Sequence, residues 1–320
     1  MEEDAGNPKT NRLGAGFQEK DLHDAIRKSG YPLQHRVVQL LQSEFRIIEE
    51  WGYSDRVTGE PRALDVLAQR AILEGPERQV QLGVTLLLEC KKSELPFVFF
   101  DSTTKRMPPN FPRVFGYKKY GFTLQAKTES REGISPAEVL CLGDLPFVSS
   151  GPPVCRTYAR PERKGEALDL SGSFLHKDVV MPLVSAVDHR SHMYVAKGGG
   201  PPYNLQLTLL LGVLEAPMVL ASGPEDSVRL SMAPWVRLVR HEASQHDFGV
   251  SASYYVVDFV HVDFLTRFVS GQLFPFLEDV VRRIEEGKSL ILRGNGDVPS
   301  LEGWTWHDLI KTGKEPTDQA

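Results

Sequence analysis

The chain has 320 residues, of which 41% are hydrophobic and 25% are charged, and its formal net charge is −5 at pH 7. This composition is typical of a soluble globular protein with a sizeable core, in one large domain or two modest ones. The negative balance argues against broad coating of nucleic acid, which needs a basic surface, although a local basic patch is sufficient for binding.

Signals for compartment and targeting are few. Three cysteines without metal-finger spacing indicate a reducing compartment and argue against a disulfide framework. No stretch resembles a signal peptide, and no apolar run approaches the length needed to span a bilayer. We therefore expect a cytoplasmic protein without a membrane association.

The first twenty residues are polar and lack a hydrophobic period, so we expect a disordered arm. A short helix is predicted over Asp21–Ser29. A strand is predicted over Phe45–Tyr53, where Glu49 or Glu50 can approach a neighbouring site, although an edge-strand glutamate is more often only solvated. Between the two, apolar residues at helical spacing predict the first core helix, with Pro32 near its start: Leu33, Val37, Leu40, Leu41 and Phe45.

Two apolar runs of β-forming residues, Ala63–Leu73 and Val80–Ser93, flank a short stretch with turn chemistry. They predict an antiparallel hairpin whose second strand is buried. Asp65 and Glu89 lie equally far from Glu77 in the turn, so an unbulged hairpin places the two carboxylates opposite one another. The hairpin thus predicts a pair of acidic side chains at its open end.

The second strand of this hairpin ends in charged residues. Because side chains alternate between the faces of a strand, Glu89 and Lys91 point the same way, and Cys90 points into the other layer. Two close carboxylates repel each other unless a divalent cation lies between them, and all-oxygen ligands suit Mg²⁺. Such a site hydrolyses phosphate esters by activating water and neutralising charge. The alternative is a structural ion pair between Glu89 and Lys91 or Lys92.

Downstream of the hairpin, acidic residues are absent between Asp101 and Glu129, and cations alternate with aromatic residues. Cations bind phosphates and aromatic faces stack on unpaired bases, so this composition suits a nucleic-acid contact. The alternative is a long solvated loop whose aromatic residues only pack it down. The predicted nucleic-acid-binding residues are Lys105, Arg106, Arg113, Lys118 and Lys119.

The rest of the chain is predicted to complete the sheet and its helices. Ser130–Gly172 is loop-like, and its charged stretch Arg156–Lys164 is either a second DNA-facing segment or an ordinary insertion. Helical spacing resumes over Phe174–Ala196, which we interpret as the second core helix. Asp258 is predicted to be a buried, hydrogen-bonded carboxylate. The remaining predicted elements are strands, or a helix followed by a strand, over Leu205–Ala221; strands over Val228–Met232, Trp235–His241 and Ser253–Val262; a closing helix over Leu265–Glu286; and a frayed tail over 311–320.

The hairpin motifs resemble those of the PD-(D/E)XK, or restriction-endonuclease-like, nuclease superfamily, and are closest to bacterial members with a Glu-Cys-Lys motif. The resemblance is carried by Arg62-Ala63-Leu64-Asp65-Val66, by Leu87-Leu88-Glu89-Cys90-Lys91-Lys92-Ser93 and by Pro96-Phe97-Val98-Phe99-Phe100. It implies a three-layer fold in which helices flank a mixed central sheet. It also implies cleavage of DNA with Mg²⁺ as cofactor. RNA is the alternative substrate, and Mn²⁺ is the alternative cofactor.

The resemblance implies roles for matching positions only. Asp65 matches the metal-binding aspartate, Glu89 the second metal ligand, and Lys91 the lysine that positions the attacking water; the backbone carbonyl of Cys90 completes the metal shell. Many members carry a glutamate on the first core helix, where this chain has Gln34, which can orient a ligand but adds no charge. Gln34 is therefore counted among the candidate catalytic residues, and it is a departure from the pattern.

We therefore expect a single elaborated α/β domain over residues 21–310, with a large insertion at about 101–172, that acts as a Mg²⁺-dependent endonuclease in defence or DNA processing. A second hypothesis is a catalytically weakened nuclease fold that binds nucleic acid or serves in an assembly. A third is an unrelated small-molecule enzyme in which Glu89 and Lys91 form an ion pair. A homodimer and association with another protein both stay open.

Overall fold

The structure, a computed structural model, describes residues 6–14, 16–55, 58–116, 122–126, 132–193, 203–246 and 249–298. The predicted arm over residues 1–20 lies partly outside these ranges, and the predicted tail over 311–320 lies wholly outside them. None of the helices in the described ranges is long and apolar enough to cross a membrane.

Nine α-helical segments are found in the described ranges, and two pairs of them are joined by π-type turns into longer helices. The turn His176–Val180 joins α5 to α6, and the turn Val269–Leu273 follows α7 and leads into α8. The two longer helices correspond to the predicted second core helix and closing helix. The segments are α1 (Glu19–Lys28), α2 (Tyr31–Leu41), α3 (Pro136–Val139), α4 (Pro146–Ser149), α5 (Ser173–Leu175), α6 (Met181–Met193), α7 (Leu265–Phe268), α8 (Phe274–Glu286) and α9 (Lys288–Arg293).

The strands form one large mixed sheet and one small sheet. The large sheet has the order β1-β2-β3-β10-β14-β13-β8-β4-β11-β12, and β15, β6 and β7 form the small one. The strands are β1 (Arg46–Ser54), β2 (Pro61–Leu73), β3 (Val80–Lys92), β4 (Phe97–Asp101), β5 (Arg113–Phe115), β6 (Phe122–Ala126), β7 (Glu132–Ile134), β8 (Val154–Lys164), β9 (Ala167–Ser171), β10 (Tyr203–Glu215), β11 (Met218–Ser222), β12 (Arg229–Met232), β13 (Trp235–His246), β14 (Gly249–His261) and β15 (Asn295–Val298).

Helices cover both faces of the large sheet, as predicted. On one face, α2, α7 and α8 pack against side chains such as Val66 and Leu88. On the other face, α6 packs against side chains such as Leu67 and Leu87, which alternate with the first set along the same two strands. The chain is therefore an α/β protein in which β2 and β3 are buried between two apolar layers.

Strands β3 and β10 turn a corner together. They pair in parallel along their full length, and their continuations β4 and β11 pair in parallel as well. At the corner, the Ser93 N–H donates to the carbonyl of Glu215 at 3.1 Å and the Phe97 N–H to that of Pro217 at 2.9 Å. The last residues of β3, including Lys91, are thereby held at a fixed bend in the sheet.

A buried ion pair fixes the far side of the sheet. The Arg237 guanidinium donates to both carboxylate oxygens of Asp258, at 2.8 and 3.2 Å, and to the carbonyl of Phe147 at 2.8 Å. Trp235 Nε1 donates to the same carboxylate at 3.0 Å. Arg237 and Asp258 are 0% and 1% exposed. The prediction that Asp258 is a buried and hydrogen-bonded carboxylate is confirmed, and this network ties α4 to the sheet.

The loop-like structure predicted for Ser130–Gly172 is wrong. The segment contains β8, which pairs with β4 and β13 inside the large sheet, and β9, which pairs with β8. Proline and charged residues in Arg156–Lys164 hide the apolar alternation of a strand. The pairing comes from neighbours distant in sequence, which a local pattern does not reveal.

Candidate active site

The register of the β2–β3 hairpin brings Asp65 and Glu89 together. Val66 pairs with Leu88, which is the register predicted for an unbulged end of the hairpin; the one irregularity lies nearer the turn, at Ala71 and Leu73. The backbone N–H of Cys90 donates to Asp65 Oδ2 at 2.7 Å, and this bond fixes the aspartate beside the end of β3.

The two carboxyl groups are strongly coupled. Burial, followed by the negative charge of Asp65, raises the pKa of Glu89 to about 9, and the residue is 8% exposed. Burial also raises the pKa of Asp65, and a hydrogen bond links the two side chains. Near neutral pH, Glu89 therefore holds a proton that it donates to the Asp65 carboxylate. Because two ionised carboxylates this close repel each other, the second one can lose its proton readily only when a cation binds beside it.

Lys91 lies on the Glu89 side of β3, as strand alternation predicts. Its Nζ forms an ion pair with Asp178 Oδ2 at 3.0 Å and lies 4.7 Å from the centre of the Phe174 ring. Lys92 points elsewhere and pairs with Glu215 at 3.1 Å. Each lysine therefore pairs with a carboxylate other than Glu89, and neither forms the structural ion pair with Glu89 that was considered as an alternative.

Gln34 reaches the same place from the first core helix. It is 7% exposed, and its Nε2 donates to Glu50 Oε1 at 2.9 Å and to the backbone carbonyl of Asp65 at 3.0 Å. Glu50 has φ 47°, a left-handed conformation that is uncommon for residues other than glycine and that interrupts the pairing of β1 with β2 opposite Asp65. The negative charge of Glu50 contributes to the raised pKa of Asp65 and of Glu89.

The donor set fits a hard divalent cation that keeps most of its water. Across the residues described, no three His, Cys, Asp or Glu side chains are grouped closely enough to hold a metal ion by themselves. Mg²⁺ is commonly bound through one or two carboxylates, with water in the other positions. Asp65 and Glu89 can supply these two carboxylates. The Cys90 thiol is unsuited to bind a metal, because it lies in the apolar layer under α2 and burial raises its pKa. Only the backbone of Cys90 faces the site.

Of the five predicted nucleic-acid-binding residues, the structure describes Lys105, Arg106 and Arg113. Lys105 forms an ion pair with Asp101, and with Arg106 it lines a cavity of about 600 Å³. The Arg113 guanidinium lies 4.4 Å above the Tyr255 ring and donates to the carbonyl of Tyr254 at 3.2 Å, so it is engaged with β14. Lys118 and Lys119 lie outside the described residues. A nucleic-acid contact by these five residues stays a prediction.

One residue near the site was not identified from the sequence, and a second was considered only as an alternative. Asp178, the partner of Lys91, lies on the π-type turn before α6, where regular helical spacing no longer predicts the direction of a side chain. Either Glu49 or Glu50 was expected to be able to approach the site, and the structure places Glu50 there, where its left-handed conformation turns it toward Gln34.

Comparison with protein-family models, with curated proteins and with solved structures finds no match for this chain.

Proposed function

We propose that the protein is a Mg²⁺-dependent phosphodiesterase of the restriction-endonuclease-like type that cleaves DNA. The proposal is supported above all by one observation: the buried Glu89 carboxyl group lies opposite Asp65 at the end of β3, with Lys91 on the same face. A stable core gains nothing from a carboxyl group whose pKa has been raised to about 9, and perturbed pairs of this kind are concentrated at functional sites.

In the proposed site, Asp65 and Glu89 would hold the cation, together with the Cys90 backbone carbonyl. A cation held there would neutralise charge and would make a bound water more acidic. Gln34 and Glu50 support Asp65 from behind, because the Gln34 amide donates hydrogen bonds both to Glu50 and to the backbone carbonyl of Asp65. Gln34 is thus a positioning residue here, and Glu50 supplies negative charge that Gln34 itself lacks.

Lys91 has two tasks in the proposed reaction. Its ammonium group donates hydrogen bonds to the attacking water and to a phosphoryl oxygen, where negative charge grows. The water oxygen bonds to phosphorus in line with the leaving 3′ oxygen and releases a proton to solvent, the P–O3′ bond breaks, and the 3′ oxygen takes up a proton from solvent. The products are a 5′-phosphate and a 3′-hydroxyl. Asp178 holds Lys91 in place at 3.0 Å from the ammonium nitrogen.

The test is a cleavage assay with plasmid DNA, single-stranded DNA and RNA, each with Mg²⁺, with Mn²⁺ and with a chelator. We expect metal-dependent cutting of DNA that falls at least about a hundredfold in Asp65→Ala and in Lys91→Ala. The matched control is Lys92→Ala, which removes the neighbouring lysine that pairs with Glu215. Metal-dependent cutting that survives both site substitutions would refute the proposed site. Nucleic-acid binding without any cutting would instead support the catalytically weakened alternative.

A further inference from the structure

A second cation lies beside Lys91 and is delivered by a distant part of the chain. Arg160 is on β8, near the hairpin that β8 forms with β9. Its guanidinium carbon lies 3.9 Å from the centre of the Phe174 ring, which also carries the Lys91 ammonium at 4.7 Å. The two distances keep both charges within about 9 Å of each other, the axial span of two or three nucleotides that rise ~3.4 Å each.

The aromatic ring under these two cations is itself fixed. Phe174 stacks on Phe97 with ring centres 6.4 Å apart and an interplanar angle of 20°, and Phe97 is fully buried. A cation held against an aromatic face keeps its direction without using its hydrogen-bond donors. Phe174 therefore orients Lys91 and Arg160 without using the hydrogen-bond donors of either side chain.

The donors of Arg160 are incompletely used by the residues that the structure describes. Its Nε is buried and has no hydrogen-bond partner among them. Its ion pair with Glu162 spans 3.9 Å, beyond hydrogen-bond distance, and the side chain is 21% exposed. Guanidinium donors without partners are costly in a half-buried side chain, and phosphate oxygens match the paired N–H groups of a guanidinium. We propose that Arg160 binds a phosphate of the nucleic-acid strand next to the phosphodiester that Lys91 contacts, and that it thereby positions the strand for cleavage.

This inference rests on the proposed phosphodiesterase function, and it makes Arg160 a positioning residue. The variants are Arg160→Gln, Arg160→Lys, which keeps the charge but loses the fork, and the matched control Arg163→Gln, an exposed arginine of the same hairpin. The substrates are an oligonucleotide and bis(p-nitrophenyl) phosphate, which contains one phosphodiester and no neighbouring phosphate. Binding of the oligonucleotide is also measured by fluorescence anisotropy in EDTA over a range of salt concentrations.

We expect Arg160→Gln to raise KM for the oligonucleotide about tenfold, with kcat changed far less, and to reduce the slope of log K against log salt by about one. The increase in KM should be several-fold larger for the oligonucleotide than for bis(p-nitrophenyl) phosphate. Arg160→Lys should lie between wild type and Arg160→Gln, and Arg163→Gln should stay within about twofold of wild type. Equal effects on the two substrates, or equal effects of the Arg160 and Arg163 variants, would overturn the inference.

Failure of the inference is distinguishable from failure of the proposed function. If the wild-type protein hydrolyses neither substrate, the phosphodiesterase proposal is wrong, and the anisotropy measurement still decides the role of Arg160. Weaker binding by Arg160→Gln than by Arg163→Gln, with a smaller salt slope, then supports the phosphate contact. Equal binding by the two variants, or an absence of binding by the wild-type protein, rejects it. Thermal unfolding of each variant shows whether a loss reflects the fold.

Discussion

Replacing the buried Glu89 by glutamine should stabilise the metal-free protein at alkaline pH. The pKa of Glu89 rises from 4.5 to about 9 on folding, so its contribution to stability is complete below pH 4.5 and is lost as the pH rises toward 9. At pH 8 the folded state still holds a proton that the unfolded state has released. That difference covers about 3.5 pH units, at about 1.4 kcal/mol each, and is worth about 5 kcal/mol.

Glu89→Gln removes this cost, although an amide donates a weaker hydrogen bond to Asp65 than a carboxyl group does, and part of the gain is lost. We expect the midpoint of thermal unfolding in EDTA to rise by about 2 to 7 °C at pH 8 and by less than about 1 °C at pH 5. The matched control is Glu94→Gln, which removes the same charge from an exposed position nearby. A midpoint at pH 8 that is unchanged or lowered in Glu89→Gln would contradict the proposed state of the two carboxyl groups.

Three further predictions concern the cation, the lysine and the core. Mg²⁺ should displace the Glu89 proton, so its Kd should fall about tenfold between pH 7 and pH 8 in thermal-shift titrations; a pH-independent Kd contradicts this. Asp178→Asn should lower kcat about tenfold with KM within twofold, because Lys91 loses its anchor; an unchanged kcat rejects that role. Arg237→Met should cost about 3 to 5 kcal/mol in urea unfolding, because Asp258 is left buried and unpaired; a cost below 1 kcal/mol rules this out.

Local patterns predicted the parts of the fold that are local in sequence. The β2–β3 hairpin joins neighbouring segments through a short turn, so equal distances from Glu77 were enough to predict that Asp65 faces Glu89. Likewise, helical spacing predicted α2 and the long helix around α6, because each depends on one apolar face. Both predictions depend on periods of two or 3.6 residues, which a sequence displays directly.

The features that the sequence did not determine depend on departures from those periods or on distant partners. β8 carries proline and charge and is a strand because β4 and β13 flank it. Asp178 faces Lys91 because a π-type turn shifts the helical period, and Glu50 faces Gln34 because its backbone is left-handed. Such positions are held by the surrounding fold, and they are concentrated around the candidate active site.

The long parallel pairing of β3 with β10 affects when the site can be completed during synthesis. The hairpin that carries Asp65, Glu89 and Lys91 lies early in the chain, whereas β10 begins only at Tyr203. Until β10 pairs with it, β3 has a free apolar edge, and its corner next to Lys91 lacks the hydrogen bonds to Glu215 and Pro217. Contacts between such distant segments form late in folding. We therefore expect a ribosome-bound or truncated chain without β10 to contain both proposed acidic ligands and yet to be inactive, so that the proposed DNA cleavage begins only after β10 has paired with β3.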